Sequence, residues 1–284
     1  MELREHKNAT RFLDAAEAFL QERESENALP LGLALRTRDG ANPGDTGSRY
    51  FTVEDGEGVL GVATQTPEHA VVFSAMPAAA VSCIATELPR VLDPLVGCIG
   101  PVEVVDEVAE SWRAAHDGVL NVHASLRLFE LTELTPATPC AGHMRLATED
   151  EFELCQHFAY RFLIDCNLPE ATPGVLPKRV LSIEQRRLFL WEVDGKPVAC
   201  ACYSRPLREG VTIGLVYTPD ELRGNGYASN VVSALTAGLL DGSLIQPTRK
   251  CVTLYTDLEN PTSNSIYRKL GYQPIGDHRH YMFE

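Results

Sequence analysis

Apolar residues recurring three and four positions apart predict helices over 8–23, 78–90, 105–116, 148–165, 225–241 and 261–270. Between them lie short runs rich in Val, Ile, Phe and Leu, bounded by Gly, Pro and acidic residues, which read as strands. That interleaving predicts an α/β or α+β fold. The stretch "TELTPATPCAG" at 132–142 is rich in Thr and Pro and has no periodicity, so it is the best linker candidate. Directly after it, Thr148 and Glu151 have the spacing of a capping box opening "EDEFELCQHFAYRFLID". A chain of 284 residues accommodates two domains of about 140 residues each, and the expected division is 1–135 and 136–284.

The two halves carry a short internal repeat. "RYFTVEDGEGVLGVATQTPEHAVVFSAMP" (49–77) and "RLFLWEVDGKPVACACYSRPLREGVTIGLVYTP" (187–219) each read as strand, acidic-glycine turn, strand, polar turn, strand and proline. Past the proline they part. The first continues "AAAVSCIATEL" and the second "DELRGNGYASNVVSAL".

Composition narrows the class. Apolar residues at 44% and charged residues at 23% are globular values. The start, "MELREHKNATRFLDAAEAFL", shows no leader pattern, and no run of about 18 apolar residues occurs, so neither secretion nor a membrane partner is expected. A net charge of −14 disfavours a nucleic-acid partner, whose phosphates call for Lys and Arg. Eight cysteines are scattered without a CxxC pair, and read as reduced thiols of a cytoplasmic protein. Cys200 and Cys202 share a strand face as small core residues, while Cys155 with His157 and His278 with His280 lack further partners at metal-ligand spacing. No metal is expected.

The segment "YTPDELRGNGYASNVV" (217–232) carries the candidate chemistry. It sits where an apolar strand meets a helix, whose first turn offers unpaired N–H groups and the positive end of the macrodipole to an anion. Glycines let a phosphate approach the backbone, and Arg223 adds a positive charge. A Walker loop is excluded because no Lys follows Gly226, and a dinucleotide fingerprint because Ser229 stands at its third glycine position.

Arg223-Gly224-Asn225-Gly226-Tyr227-Ala228 fits R-x-x-G-x-[AG], and in this it resembles the acyl-coenzyme A pyrophosphate motif of the GNAT superfamily of N-acetyltransferases. A second block, "YTDLENPTSNSIYRKLGYQPI" (255–275), is similar to that superfamily's C-terminal signature, with Asn260, Ser263, Tyr267, Lys269, Gly271 and Tyr272 in place. The resemblance covers about 140–284. It implies the GNAT acyl-CoA N-acyltransferase fold, which is α+β with a mixed, α/β-type sheet, a cofactor cleft where the strand before Pro219 splays from "KCVTLYT" (250–256), and acetyl-CoA as co-substrate. The repeat extends it to two tandem GNAT-like domains, the first a degenerate copy without the arginine and glycines.

The same resemblance implies roles. Backbone groups of Val216 and Thr218 would meet the pantetheine arm, and backbone N–H groups of Arg223, Gly224, Asn225, Gly226, Tyr227, Ala228 and Ser229 the pyrophosphate. Asn260 would bond the pantetheine, and Tyr267 would be the general acid beside the thioester sulfur. The base stays open. The strand "VTIGLVY" has no carboxylate, which leaves Glu192, Asp257, the terminal carboxylate at Glu284, Tyr217 or a water relay. Acetyl transfer to a primary amine of a small molecule, amino acid or peptide N-terminus is the first function expected; an acyl-CoA-binding sensor or scaffold is the second. The acceptor pocket is expected from 148–185, the interdomain face and the tail "DHRHYMFE".

Overall fold

A computed structural model describes residues 1–40, 47–92, 95–116, 118–166 and 185–284. The chain divides into two compact units, 1–128 with 274–284, and 129–273. Helices and strands interleave around mixed sheets, as the α+β pattern predicts.

The first unit runs β1 (Glu2–His6), α1 (Ala9–Glu22), α2 (Ala28–Arg38), β2 (Arg49–Glu54), β3 (Val59–Gln65), β4 (Val71–Phe73), α3 (Ala78–Val91), β5 (Gly97–Pro101), α4 (Val102–His116) and most of β6 (Leu120–Leu131). Its sheet has the order β1-β2-β3-β4-β5, followed by β12 (Gln273–Phe283) and then β6. Strand alternation sorts the faces. Phe51, Val53 and Ala63 pack with Ile84 and Leu88 of α3 and Val104 and Val108 of α4. On the other face the Tyr50 ring meets Phe12 of α1 at 5.2 Å. Pro89 lies inside α3 and has no N–H for the Ala85 carbonyl; the Ser111 hydroxyl of α4 donates to it instead, at 2.9 Å.

The second unit begins with the end of β6 and continues with β7 (His143–Leu146), α5 (Phe152–Asp165), β8 (Leu188–Val193), β9 (Lys196–Ser204), β10 (Gly210–Tyr217), α6 (Tyr227–Leu240), β11 (Cys251–Asp257) and α7 (Pro261–Lys269). Its strand order is β7-β8-β9-β10-β11-β6, with β10 and β11 parallel. Both units thus contain the predicted three-strand meander. β2–β3 and β8–β9 even shift register at the same place, between Val53 and Glu54 and between Trp191 and Glu192.

Three features differ from the sequence expectation. The helix α2 is unforeseen, because Pro30 and Gly32 interrupt the apolar period of "ALPLGLALRTR". The 132–142 stretch is packed and not a free linker: the Ala137 N–H donates to Ser233 Oγ at 3.1 Å, and the Thr138 carbonyl accepts from Asn230 Nδ2 at 3.0 Å. Finally, the tail expected in a 136–284 domain forms β12 of the first unit, where it pairs antiparallel with β5 from His278–Pro101 to Met282–Gly97. Its alternation places Phe283 in the first unit's core, stacked on Trp112 at 4.3 Å.

The capping box forms, with the Thr148 N–H donating to Glu151 Oε2 at 3.0 Å. Arg145 forks between Glu151, at 2.6 and 2.8 Å, and Glu192, at 2.5 Å. The guanidinium lowers the Glu151 carboxyl from 4.5 to about 2, against the opposing effect of burial. A carboxyl depressed on folding stabilises the native state fully above its unfolded value, and that contribution fades as pH falls through the folded value. We therefore expect the stability difference between wild type and Glu151→Gln, from urea unfolding, to shrink between pH 4.5 and about 2. A pH-independent difference would contradict this.

Candidate functional site

The parallel strands β10 and β11 pair at Gly210–Cys251, Val211–Val252 and Thr212–Thr253, and no further, although both strands run on. The cause lies in β10, which shifts register against β9 between Gly214 and Tyr217. Leu215 adopts φ +52° there with its side chain buried, a bulge that turns the following backbone away from the ladder. The expected splay is present. Val216 and Thr218 follow the bulge, and the buried Thr218 hydroxyl has no hydrogen-bond partner among the described residues.

After Pro219 a single 3-10 turn, Asp220–Leu222, leads to the glycines. Gly224 and Gly226 have φ +83° and +82°, a left-handed backbone that side chains disfavour. A Cβ on Gly224 would meet nothing within 4 Å, so conformation and not crowding calls for glycine there. Asn225 steadies the turn by donating from Nδ2 to the Leu222 carbonyl at 3.0 Å. α6 then starts at Tyr227, and its N-cap, Gly226, supplies no side-chain bond. Among the described residues, the N–H groups of Gly224, Asn225, Gly226, Tyr227, Ala228 and Ser229 meet no acceptor; the first helical bond is Asn230 N–H to the Gly226 carbonyl, 3.0 Å. This is a row of donors at the positive end of a helix, suited to an anion.

Arg223 is arranged differently from that row. Its N–H closes the 3-10 turn on the Asp220 carbonyl at 3.2 Å. Its guanidinium donates to the Thr218 carbonyl at 3.1 Å, and pairs with Asp165 and Asp220 at 2.7 Å each. Arg161, one turn before Asp165 on α5, reaches the same carboxylate at 3.5 Å. Asp165 had no sequence signal for this beyond its i,i+4 spacing from Arg161.

α7 provides the other wall. Asn260 is its exposed N-cap, with Oδ1 accepting from the Ser263 N–H at 3.0 Å, and Pro261 occupies the first turn. Asn264 and Tyr267 are the two buried residues of the helix, one turn apart. The Tyr267 ring packs between Phe129 and Tyr272, with centroids 6.2 and 5.9 Å away. The neighbouring Tyr272 hydroxyl is satisfied by Thr236 Oγ1 at 2.7 Å. No hydrogen bond engages the Tyr267 hydroxyl among the described residues. Burial, with a smaller push from Cys166, raises its phenol above the usual tyrosine range.

The base candidates are engaged elsewhere. Glu192 is held by Arg145, and Asp257 Oδ1 accepts from the Glu259 N–H at 2.8 Å. The Tyr217 ring packs on Phe158 at 5.4 Å. Glu284 belongs to the first unit, where its N–H donates to the Val119 carbonyl at 3.1 Å. Of the expected acceptor-pocket segment 148–185, residues 167–184 lie outside the described residues. Among the described residues no His/Cys/Asp/Glu cluster could hold a metal ion, and no helix is long and apolar enough to cross a membrane.

The first unit shows the same place without a cradle. α3 starts at Ala78, directly after Pro77, with no intervening loop. A Cβ on Gly100 of β5 would come within 3.0 Å of Phe73 on β4, so these two strands stay in close contact past their last register pair, Val72–Ile99.

Residues 197–282 match the model of the FR47-like protein family. A search of curated proteins finds no match. Among solved structures, a Drosophila protein is similar at 10% identity with TM-score 0.67, covering 99% of this chain and 98% of its own. A tandem GNAT protein from the clavulanic acid biosynthesis pathway is similar at 15% identity with TM-score 0.56, covering 100% and 98%. A GCN5-related N-acetyltransferase from Sphaerobacter thermophilus is similar at 15% identity with TM-score 0.53, covering 98% and 94%. The chain therefore has the GNAT fold in a tandem arrangement, with the FR47-like pattern running from β9 to β12.

Proposed function

We propose that the second unit is an N-acetyltransferase, moving the acetyl group of acetyl-CoA to a primary amine by direct attack in a ternary complex. The amine belongs to a small molecule, an amino acid or a peptide N-terminus. The observation that carries the reading is the row of N–H groups from Gly224 to Ser229, unpaired among the described residues and set at the mouth of the β10–β11 splay. In this reading those groups hold the pyrophosphate, and backbone groups of Val216 and Thr218 orient the pantetheine arm and polarise the thioester carbonyl. Asn260 contributes its amide N–H, since its Oδ1 caps α7. Tyr267 donates the proton that the departing thiolate takes up, and water relays the proton lost by the amine. The first unit, with β4 and β5 in contact, is a non-catalytic copy. The eight cysteines are free thiols, which fits a cytoplasmic location.

Release of free thiol from acetyl-CoA over a broad panel of amines tests this. Robust turnover with any amine supports it, and absence of CoA binding overturns it. Replacing Gly226 by Val forces a branched side chain into φ +82°, at a strain of about 1–2 kcal/mol. The helix start then shifts to relieve it, so CoA affinity is expected to fall about tenfold or more by calorimetry.

The second reading, a sensor or scaffold that binds acyl-CoA without turnover, is favoured by one observation. β10 carries no carboxylate, and Glu192 and Asp257 are already engaged. Tight CoA binding with no productive amine would select it.

A further inference from the structure

The amide of Asn264 is fixed in one orientation. Its Nδ2 donates to the carbonyl of Asp257, the last residue of β11, and to the carbonyl of Asn260, each at 2.8 Å. Turning the amide over would set its oxygen against two carbonyl oxygens, so the network assigns the atoms. Oδ1 is left buried, with no partner among the described residues, in a residue only 7% exposed. Unsatisfied buried acceptors are rare in folded proteins and call for an explanation.

The position supplies one. Asp257 lies beyond Thr253, the last residue of β11 paired with β10, so Asn264 is anchored to the stretch of β11 that has parted from its neighbour. Along α7 it is one turn from Tyr267, on the same buried face. Past the end of β10, the Thr218 hydroxyl is a second buried polar group without a partner among the described residues. Both parted strands thus end near buried polar atoms that the described residues leave unused.

We infer that Asn264 Oδ1 is a ligand-binding acceptor, positioned to take one hydrogen bond from an N–H group lying in the β10–β11 cleft. The inference rests on the acyl-CoA reading of that cleft. With Nδ2 already committed, the residue can serve only a donor, so it selects an amide or amine N–H and rejects a carbonyl or carboxylate. Such a group comes from an amide of the pantetheine arm or from the acceptor amine. Asn264 is a positioning and selectivity residue here; no proton transfer or covalent step passes through it.

The test uses the full chain, with Asn264→Leu and Asn264→Ser, and two probes. CoA carries the pantetheine amides, whereas adenosine 3′,5′-bisphosphate carries phosphates and no amide. Wild-type binding of CoA establishes the underlying reading, and its absence overturns both. If the donor is pantetheine, the variants bind CoA about tenfold more weakly and the bisphosphate unchanged. A CoA analogue methylated at the amide nitrogen then loses affinity for wild type and loses none for the variants, a cycle that isolates the pair. If the donor is the amine, CoA affinity is unchanged and the acceptor KM rises about tenfold with kcat retained. Unchanged CoA affinity and unchanged acceptor KM would overturn the inference. The methylated analogue on wild type reads the same bond should both variants fail to fold.

Discussion

Tyr267→Phe is expected to slow thiol release about 100-fold or more, the contribution of a positioned general acid, while CoA affinity stays within about twofold. The substitution removes the hydroxyl alone. Because the ring packs between Phe129 and Tyr272, phenylalanine keeps the core contacts. The hydroxyl makes no bond among the described residues, so nothing structural is lost with it. Tyr272→Phe is the control, since its hydroxyl bonds Thr236 in a buried pair and its loss should tell on stability. With the Tyr267 phenol raised above the ordinary range, the rate should show no alkaline loss from its ionisation near neutrality. Undiminished turnover in Tyr267→Phe would move the proton donor to another group.

The second large effect is expected in the first unit. Phe283→Ala removes the ring that stacks on Trp112 in the first unit's core, a truncation that costs about 3–5 kcal/mol. Thermal unfolding of that unit should come at least about 10 °C earlier. The chain's two tryptophans make this measurable: Trp112 lies in the first unit and Trp191 in the second. In a Trp191→Phe background the fluorescence reports the first unit, and in a Trp112→Phe background the second. The shift should be larger in the first; equal shifts would contradict the division of the tail from residues 129–273.

What was legible in the sequence was what local chemistry dictates. Asn260 followed by Pro261, Thr148 with Glu151, and the two glycines of "RGNGYAS" announce helix starts, and each marks one. The splay was readable only through resemblance, because its cause is Leu215 at positive φ, and leucine gives no sign of that. The partners of Arg223 were hidden for another reason. Asp165 lies 58 positions away, and spacing along a chain says nothing about contacts made across a fold. The same holds for the tail, expected at the acceptor pocket, because nothing in "DHRHYMFE" says that β5 receives it.

That receiving edge has a consequence for synthesis. Domains commonly fold as they emerge, at about 5–20 residues per second. Residues 1–128 emerge early, yet their sheet lacks β12 until residues 129–273 have also been made, an interval of roughly 7–30 seconds at those rates. For that time Trp112 has no Phe283 to cover it, and β5 has no antiparallel neighbour on that side. The nascent first unit therefore leaves that side of β5 without its antiparallel neighbour for the whole interval, whereas the second, an unbroken stretch of chain, holds all of its own residues before β12 is finished.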